Sequence, residues 1–151
     1  MSVDTNAKFL GKLDAEALLG FVKENIDPNA KSAIETEESE IHSKYHDEII
    51  FLGKKKGVEN RTDGYIHFTY NGENRSLYYL HRDIIWVDKD SFEQNIKQGT
   101  PELNSEVTEL SLLFNTTAVE VMKKVVEFFG GYIQENDCSG EWFHKVEKVK
   151  G

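Results

Sequence analysis

Apolar positions recur in this chain with two spacings, one of strands and one of helices. They are clearest over residues 109–146, TELSLLFNTTAVEVMKKVVEFFGGYIQENDCSGEWFHKV with its flanking Thr108. Residues 109–114 form a short apolar run, long enough for a buried strand. Thr117 followed by Glu120 has the spacing of a capping box, so a helix is expected to start there. Ala118, Val121, Met122, Val125 and Phe129 then recur on one helical stripe, with Lys123 and Lys124 off it. Gly130-Gly131 supplies the glycine that a helix C-terminus favours. Strands are predicted at 132–134 and 141–146, which completes a β-α-β-β unit.

The beginning of the chain has a similar plan. Residues 1–7 are polar and expected to fray, and 8–13 read as a short strand. Asp14 is a good N-cap for a helix carrying Ala15, Leu18, Leu19, Val22 and Ile26 on one face. Glu16 lies in its first turn, and Asp27-Pro28 stops it. Between the two ends the signals are those of strands. A strand is expected to begin at 31–34, and 48–53 (EIIFLG) reads as a buried one. Residues 65–70 alternate Tyr65, His67 and Thr69 with Ile66, Phe68 and Tyr70, and Asn71-Gly72 is a strong hairpin turn. Glu73 and Asn74 read as part of that loop, 76–80 as the returning strand and 84–87 as a further one. Asp90 can cap a short helix with Phe92 and Ile96, ended by Gly99, and 100–105 reads as a linker. The expectation is one α+β domain over 1–151. It would be a two-layer sandwich of a mainly antiparallel sheet with two main helices on one face, nearest to ferredoxin-like topology.

Composition adds limits on function. With 151 residues and 38% hydrophobic content the chain can bury a real core, and a single cysteine excludes an intramolecular disulfide framework. Neither a secretory signal nor an apolar run of membrane-spanning length is evident, so a cytoplasmic protein without a membrane partner is expected. The net charge of -9 argues against direct binding to nucleic acid. Glu35, Glu37, Glu38, Glu40, Asp47 and Glu48 crowd one stretch, offset only by Lys44. Such a run is usually a solvated loop or an exposed edge; its functional alternative is an acidic surface that docks a basic partner.

Candidate chemistry is sparse. His42 and His46 are four apart, as metal ligands on a helix would be, but Ser43 stands where the HExxH motif has its glutamate. Tyr78, Trp86, Arg75 and Arg82, with His67 and His81 nearby, could line a ligand site, although aromatics at such spacing usually fill a core. Asp88 with Asp90, and Asn136 with Asp137, read as caps and turns before they read as acid pairs. Cys138 has only His144 near it in sequence, which does not make a nucleophile. No P-loop, dinucleotide fingerprint, nucleophile elbow or CxxC occurs, so an enzyme is disfavoured and no cofactor is expected.

The segment AVEVMKKVVEFFGGYIQENDC, residues 118–138, resembles small uncharacterised proteins of tailed phages and related mobile elements. The resemblance covers about a seventh of the chain, and implies an accessory protein that acts on a host or defence component. The leading expectation is therefore a non-enzymatic interaction protein in the host cytoplasm. It would bind a host protein with a basic surface through Glu35, Glu37, Glu38, Glu40, Asp137 and Trp142. The alternative is a module that binds or sequesters a nucleotide-like ligand through Arg75, Tyr78, Arg82 and Trp86. A third reading is a metal-dependent hydrolase using His42 and His46 or Asp88 and Asp90. Homo-oligomerisation is left open.

Overall fold

The protein is described by a computed structural model covering residues 3–42, 56–86, 107–139 and 142–149. Among the described residues it is an α+β fold with a seven-stranded antiparallel sheet and two helices. In chain order the elements are β1 (Asp4–Leu10), α1 (Ala15–Asn25), β2 (Lys31–His42), β3 (Lys56–Tyr70), β4 (Glu73–Trp86), β5 (Val107–Leu113), α2 (Thr116–Phe129), β6 (Gly131–Gln134) and β7 (His144–Val146). A 3-10 turn, Asp137–Ser139, precedes β7. The sheet order is β2-β3-β4-β5-β1-β6-β7. Four strands lie between the helices in this described order, where a ferredoxin-like repeat has two.

Asp4 to Ala7, read as part of a fraying end, belong to a strand. β1 begins at Asp4 and lies inside the sheet, pairing β5 along its whole length and β6 over Asn6–Lys8. Thr5, Ala7 and Phe9 alternate into the core, and the Thr5 hydroxyl donates to the Glu135 carbonyl at 2.7 Å. Two of those three core positions are not strongly apolar, so hydrophobic alternation alone under-reads the strand.

One core unites the elements. Leu18, Phe21 and Val22 of α1 and Ala118, Val121, Met122, Val125 and Val126 of α2 are buried in it. The sheet contributes Ala7, Phe9, Ile66, Phe68, Leu77, Tyr79, Leu110, Leu112 and Ile133, which register and alternation place on one face. Phe21 lies 4.8 Å from Phe128 and 5.6 Å from Phe129 between ring centroids, and Phe129 meets Phe9 edge-on at 6.4 Å. These aromatic contacts tie the helices to each other and to β1.

The helix ends have named causes. Asp14 caps α1 by accepting from the Ala17 N–H at 3.3 Å. For α2 the cap is Asn115 rather than Thr117: its side chain accepts from the Ala118 N–H at 2.8 Å, and the helix already includes Thr116. The extended backbone of Asn115 puts a capping oxygen two residues before the apparent box. Gly130 closes α2 with φ +75°.

The central hairpin is tighter than expected. Asn71 and Gly72 have φ of 51° and 78°, the positive pair of a two-residue type I′ turn. Glu73 and Asn74 are therefore strand residues, paired with Tyr70 and Thr69. β4 runs unbroken to Trp86, so 76–80 and 84–87 are not separate strands. The strand expected at 48–53 and the helix expected after Asp90 lie outside the described residues.

Gly64 is required where β2 crosses β3. Its φ is +152°, and a Cβ there would stand 2.0 Å from the Ala33 carbonyl oxygen. Gly20, inside α1, has no atom within 4 Å of such a Cβ. Gly64→Ala should destabilise by about 1–3 kcal/mol through overpacking against backbone. Gly20→Ala should stabilise by about 0.5–1 kcal/mol, since alanine loses less entropy in a helix. Urea denaturation of both variants checks the pair of signs.

Candidate functional site

The sheet face turned away from the core carries the candidate site; among the described residues, neither helix lies on it. Tyr65 and Tyr78 stand opposite each other on β3 and β4, with ring centroids 5.3 Å apart. His67 stacks on Tyr65 at 6.0 Å. The Tyr78 hydroxyl donates to the Asp63 carboxylate at 3.1 Å and accepts from the Arg61 guanidinium at 3.3 Å. Arg61 Nε lies 3.5 Å from Asp63, which closes a small ring of contacts. The hydrogen bond to Tyr78 is the largest cause of a raised Arg61 pKa; partial desolvation opposes it, and the Asp63 carboxylate adds to it.

Strand pairing adds charge to these aromatics. Glu35 is opposite Asp63 and Glu37 opposite Arg61, so both glutamates share the face of Tyr65. Glu35, Glu37 and Asp63 gather on the β2–β3 side of a half-exposed tyrosine pair, with Arg61, Arg82 and Lys31 as the bases of the same face. Such a patch can recognise cations through carboxylates and ring faces.

The acidic stretch thus has a definite place. The strand expected to begin at 31–34 continues to His42 and forms one edge of the sheet. Glu35, Glu37 and Glu38 are exposed on it, and alternation assigns Glu38 and the register position of Glu40 to the opposite face from Glu35 and Glu37.

Asp137 and Trp142 do not join them. Asp137 lies in the 3-10 turn against β1, four strands from β2 in the sheet order, and Trp142 just precedes β7 at the other edge. Asp137 is occupied locally, accepting from the Asp4 N–H at 3.0 Å. Partial burial, and then the Asp137 charge, raise the Asp4 pKa. Trp142 is 85% exposed.

The residues grouped for a nucleotide-like ligand are also divided. Tyr78 and Arg82 lie on the open face, with Arg82 opposite Arg61, and Trp86 follows at an alternating position opposite Gly57. Arg75 has the other parity. Its guanidinium donates to the Leu113 carbonyl and lies 3.9 Å from Glu73, with the side chain 11% exposed. It holds the hairpin to the end of β5 and leaves the proposed anion site without that cation.

Of the metal candidates, His42 ends β2 opposite Lys56, whereas His46, Asp88 and Asp90 lie outside the described residues. Among the described residues no three His, Cys, Asp or Glu side chains gather as a metal site would require. Cys138 is exposed, and desolvation followed by the neighbouring Asp137 pushes its thiol pKa up. That is the reverse of an activated nucleophile. His81 is buried in the core instead of lining a pocket, with Nδ1 3.0 Å from the Thr108 hydroxyl.

Among the described residues, concavities accompany the open face. One, of about 400 Å³, lies over β5, β1 and β6 and is lined by Asn6, Lys8, Tyr78, Glu109, Ser111 and Phe143 among others. Another, of about 310 Å³, lies beside the hairpin and includes Asp27, His67 and Arg75.

Comparison of the chain with protein-family models, curated proteins and solved structures gives no match. No helix among the described residues is long and apolar enough to cross a membrane.

Asp27 offers a test of how the second concavity is held. Its carboxylate accepts from the Thr69 N–H at 2.8 Å and the Asn29 N–H at 2.9 Å, and these bonds lower its pKa, that from Thr69 most. The folded state therefore favours ionised Asp27. Its stabilising contribution should be present above the ordinary value of 3.8 and be lost as pH falls through the lower folded value. Asp27→Ala should lower the melting temperature at pH 6, and the gap from the native protein should narrow as the solution is acidified below 3.8.

Proposed function

We propose that the chain is a two-layer α+β sandwich whose sheet face opposite the core and acidic β2 edge bind another protein through a basic surface. In this reading it is a non-enzymatic accessory factor of phage type that modulates a host or defence protein. The observation that carries the proposal is the sharing of one open face by Tyr65, Tyr78, Glu35 and Glu37. Tyrosines on an uncovered sheet are rigid, amphipathic anchors of the kind that dominate interface energies. Carboxylates beside them steer a cationic partner and raise its association rate.

The ring of Tyr78, Asp63 and Arg61 supports the same reading. It fixes the tyrosine before any partner arrives, so less side-chain entropy is lost on binding. β2 adds a sheet edge that an extended segment of the partner can approach. Trp142, just before β7, is assigned to a second patch, outside the β2–β3–β4 register that groups Glu35, Tyr65 and Tyr78.

The test is affinity capture from a bacterial lysate across a salt series, followed by kinetics with the captured protein. The double variant Glu35→Lys/Glu37→Lys should cut the association rate about tenfold at low salt, with a smaller effect at high salt. Tyr65→Ala should speed dissociation and cost about 2 kcal/mol of affinity if it is an anchor. Trp142→Ala should leave affinity nearly unchanged. Binding that ignores both the charge reversal and Tyr65→Ala would remove the open face from the proposal.

A further inference from the structure

The groove over β5, β1 and β6 differs in chemistry from the acidic patch beside it. Register places Glu109 opposite Lys8, and their charged groups are 4.0 Å apart, each side chain about half exposed. The pair is neutral as a unit and loose enough to stay hydrated. Next to it on the same face, Ser111 is opposite Asn6, and Asn6 is opposite Gln134. The Asn6 amide nitrogen donates to the Gln134 side-chain oxygen at 2.9 Å, which fixes the Asn6 amide and orients its own oxygen. Two rings complete the groove: Tyr78, and Phe143 with the Lys8 ammonium 4.6 Å from its centroid.

These groups select by exclusion. A phosphate or carboxylate ligand would meet Lys8 already compensated by Glu109, with Glu109 repelling it. A purely apolar ligand would strip water from an amide, a hydroxyl and an ion pair without replacing their bonds. A peptide strand cannot add to β5 or β1 over this floor, because each is paired on both sides there, and β6 is paired on both sides up to Ile133. What remains is a neutral ligand that both donates and accepts, with an apolar flank for a ring. Sugar hydroxyls do both, and the C–H face of a pyranose packs on an aromatic side chain. The volume of about 400 Å³ lies within the ~300–1,000 Å³ usual for small-ligand sites.

We infer that this groove is a binding site for a neutral saccharide. Ser111, the Asn6 oxygen, Lys8 and Glu109 hydrogen-bond the hydroxyls, and Phe143 or Tyr78 packs against the ring face. The groove shares Tyr78 with the protein-binding face but none of Glu35, Glu37 and Tyr65 lines it, so the charge-reversal variant separates the two readings.

The experiment is an NMR titration of the isotopically labelled full chain with maltose, lactose and cellobiose, alongside adenosine and AMP. At least one disaccharide should give saturable shifts at Asn6, Ser111 and Phe143, with Kd on the order of millimolar. Phe143→Ala and Glu109→Gln should each weaken that binding about tenfold. The Glu35→Lys/Glu37→Lys variant should bind the sugar as the native chain does. Equal melting temperatures for the Phe143 and Glu109 variants guard against a folding defect, and Ser111→Ala serves in place of either variant that fails this control. Saturable binding of adenosine or AMP in the groove without any of the disaccharides would overturn the assignment. So would the absence of saturable shifts from all three sugars, or shifts that map away from the groove.

Discussion

The insertion of β1 between β5 and β6 is the constraint on which the rest of the structure depends. Seven residues from the start of the chain pair with Val107–Leu113, and three of them pair again with β6. The strand joins the central meander to the closing β-α-β unit, and puts Phe9 under Phe129. Its fit is close: a Cβ at Gly131 would come within 2.7 Å of the Phe9 ring and 2.9 Å of the Lys8 carbonyl oxygen. β6 can approach β1 only with a glycine there. Gly130-Gly131 therefore has two separate roles, a left-handed helix cap at the first position and a close backbone approach at the second.

That division explains which parts of the fold were legible from sequence. The stripes of α1 and α2 announced themselves because Leu18, Val22, Val121, Met122 and Val125 repeat at helical spacing. The hairpin was equally plain, since Asn71-Gly72 tolerates the two positive φ angles that a type I′ turn requires. β1 was not, because Thr5 and Ala7 bury little apolar area and give no hydrophobic alternation. Strand pairing across the chain has no local signature at all. The cap of α2 was misplaced for a related reason: two residues with suitable oxygens, Asn115 and Thr117, stand close together, and backbone direction decides between them.

The candidate site was legible by residue type and not by grouping. The acidic run and the tyrosines were visible separately. Only the β2–β3–β4 register puts Glu35 and Glu37 on the face of Tyr65 and Tyr78, and only parity turns Arg75 away from Tyr78. Asp137 and Trp142 fell into the same expected surface because both looked exposed and recognition-prone, yet Asp137 is held against β1 and Trp142 precedes β7, away from the β2 edge. The groove was missed altogether. Asn6, Lys8, Ser111 and Glu109 are ordinary polar residues in sequence, and become a set only when β1 and β5 align.

Alignment also sorts charge across the open face. One register row reads Glu35, Asp63, Leu80, Glu109, Lys8, Tyr132 and Lys145 from the β2 edge to the β7 edge. Acids occupy one side of the row and bases the other, with the loose Glu109–Lys8 pair at the change of sign. At physiological salt, exposed charges act over about 8 Å, less than two strand spacings. Tyr65 and Tyr78 therefore lie in the field of Glu35 and Asp63 while Lys145 is screened from them. A basic partner would be drawn to the β2 side and turned away from β7, whereas a neutral ligand over Glu109 and Lys8 would feel little of either field. The same row of side chains can thus serve two ligands of different chemistry without placing them in electrostatic competition.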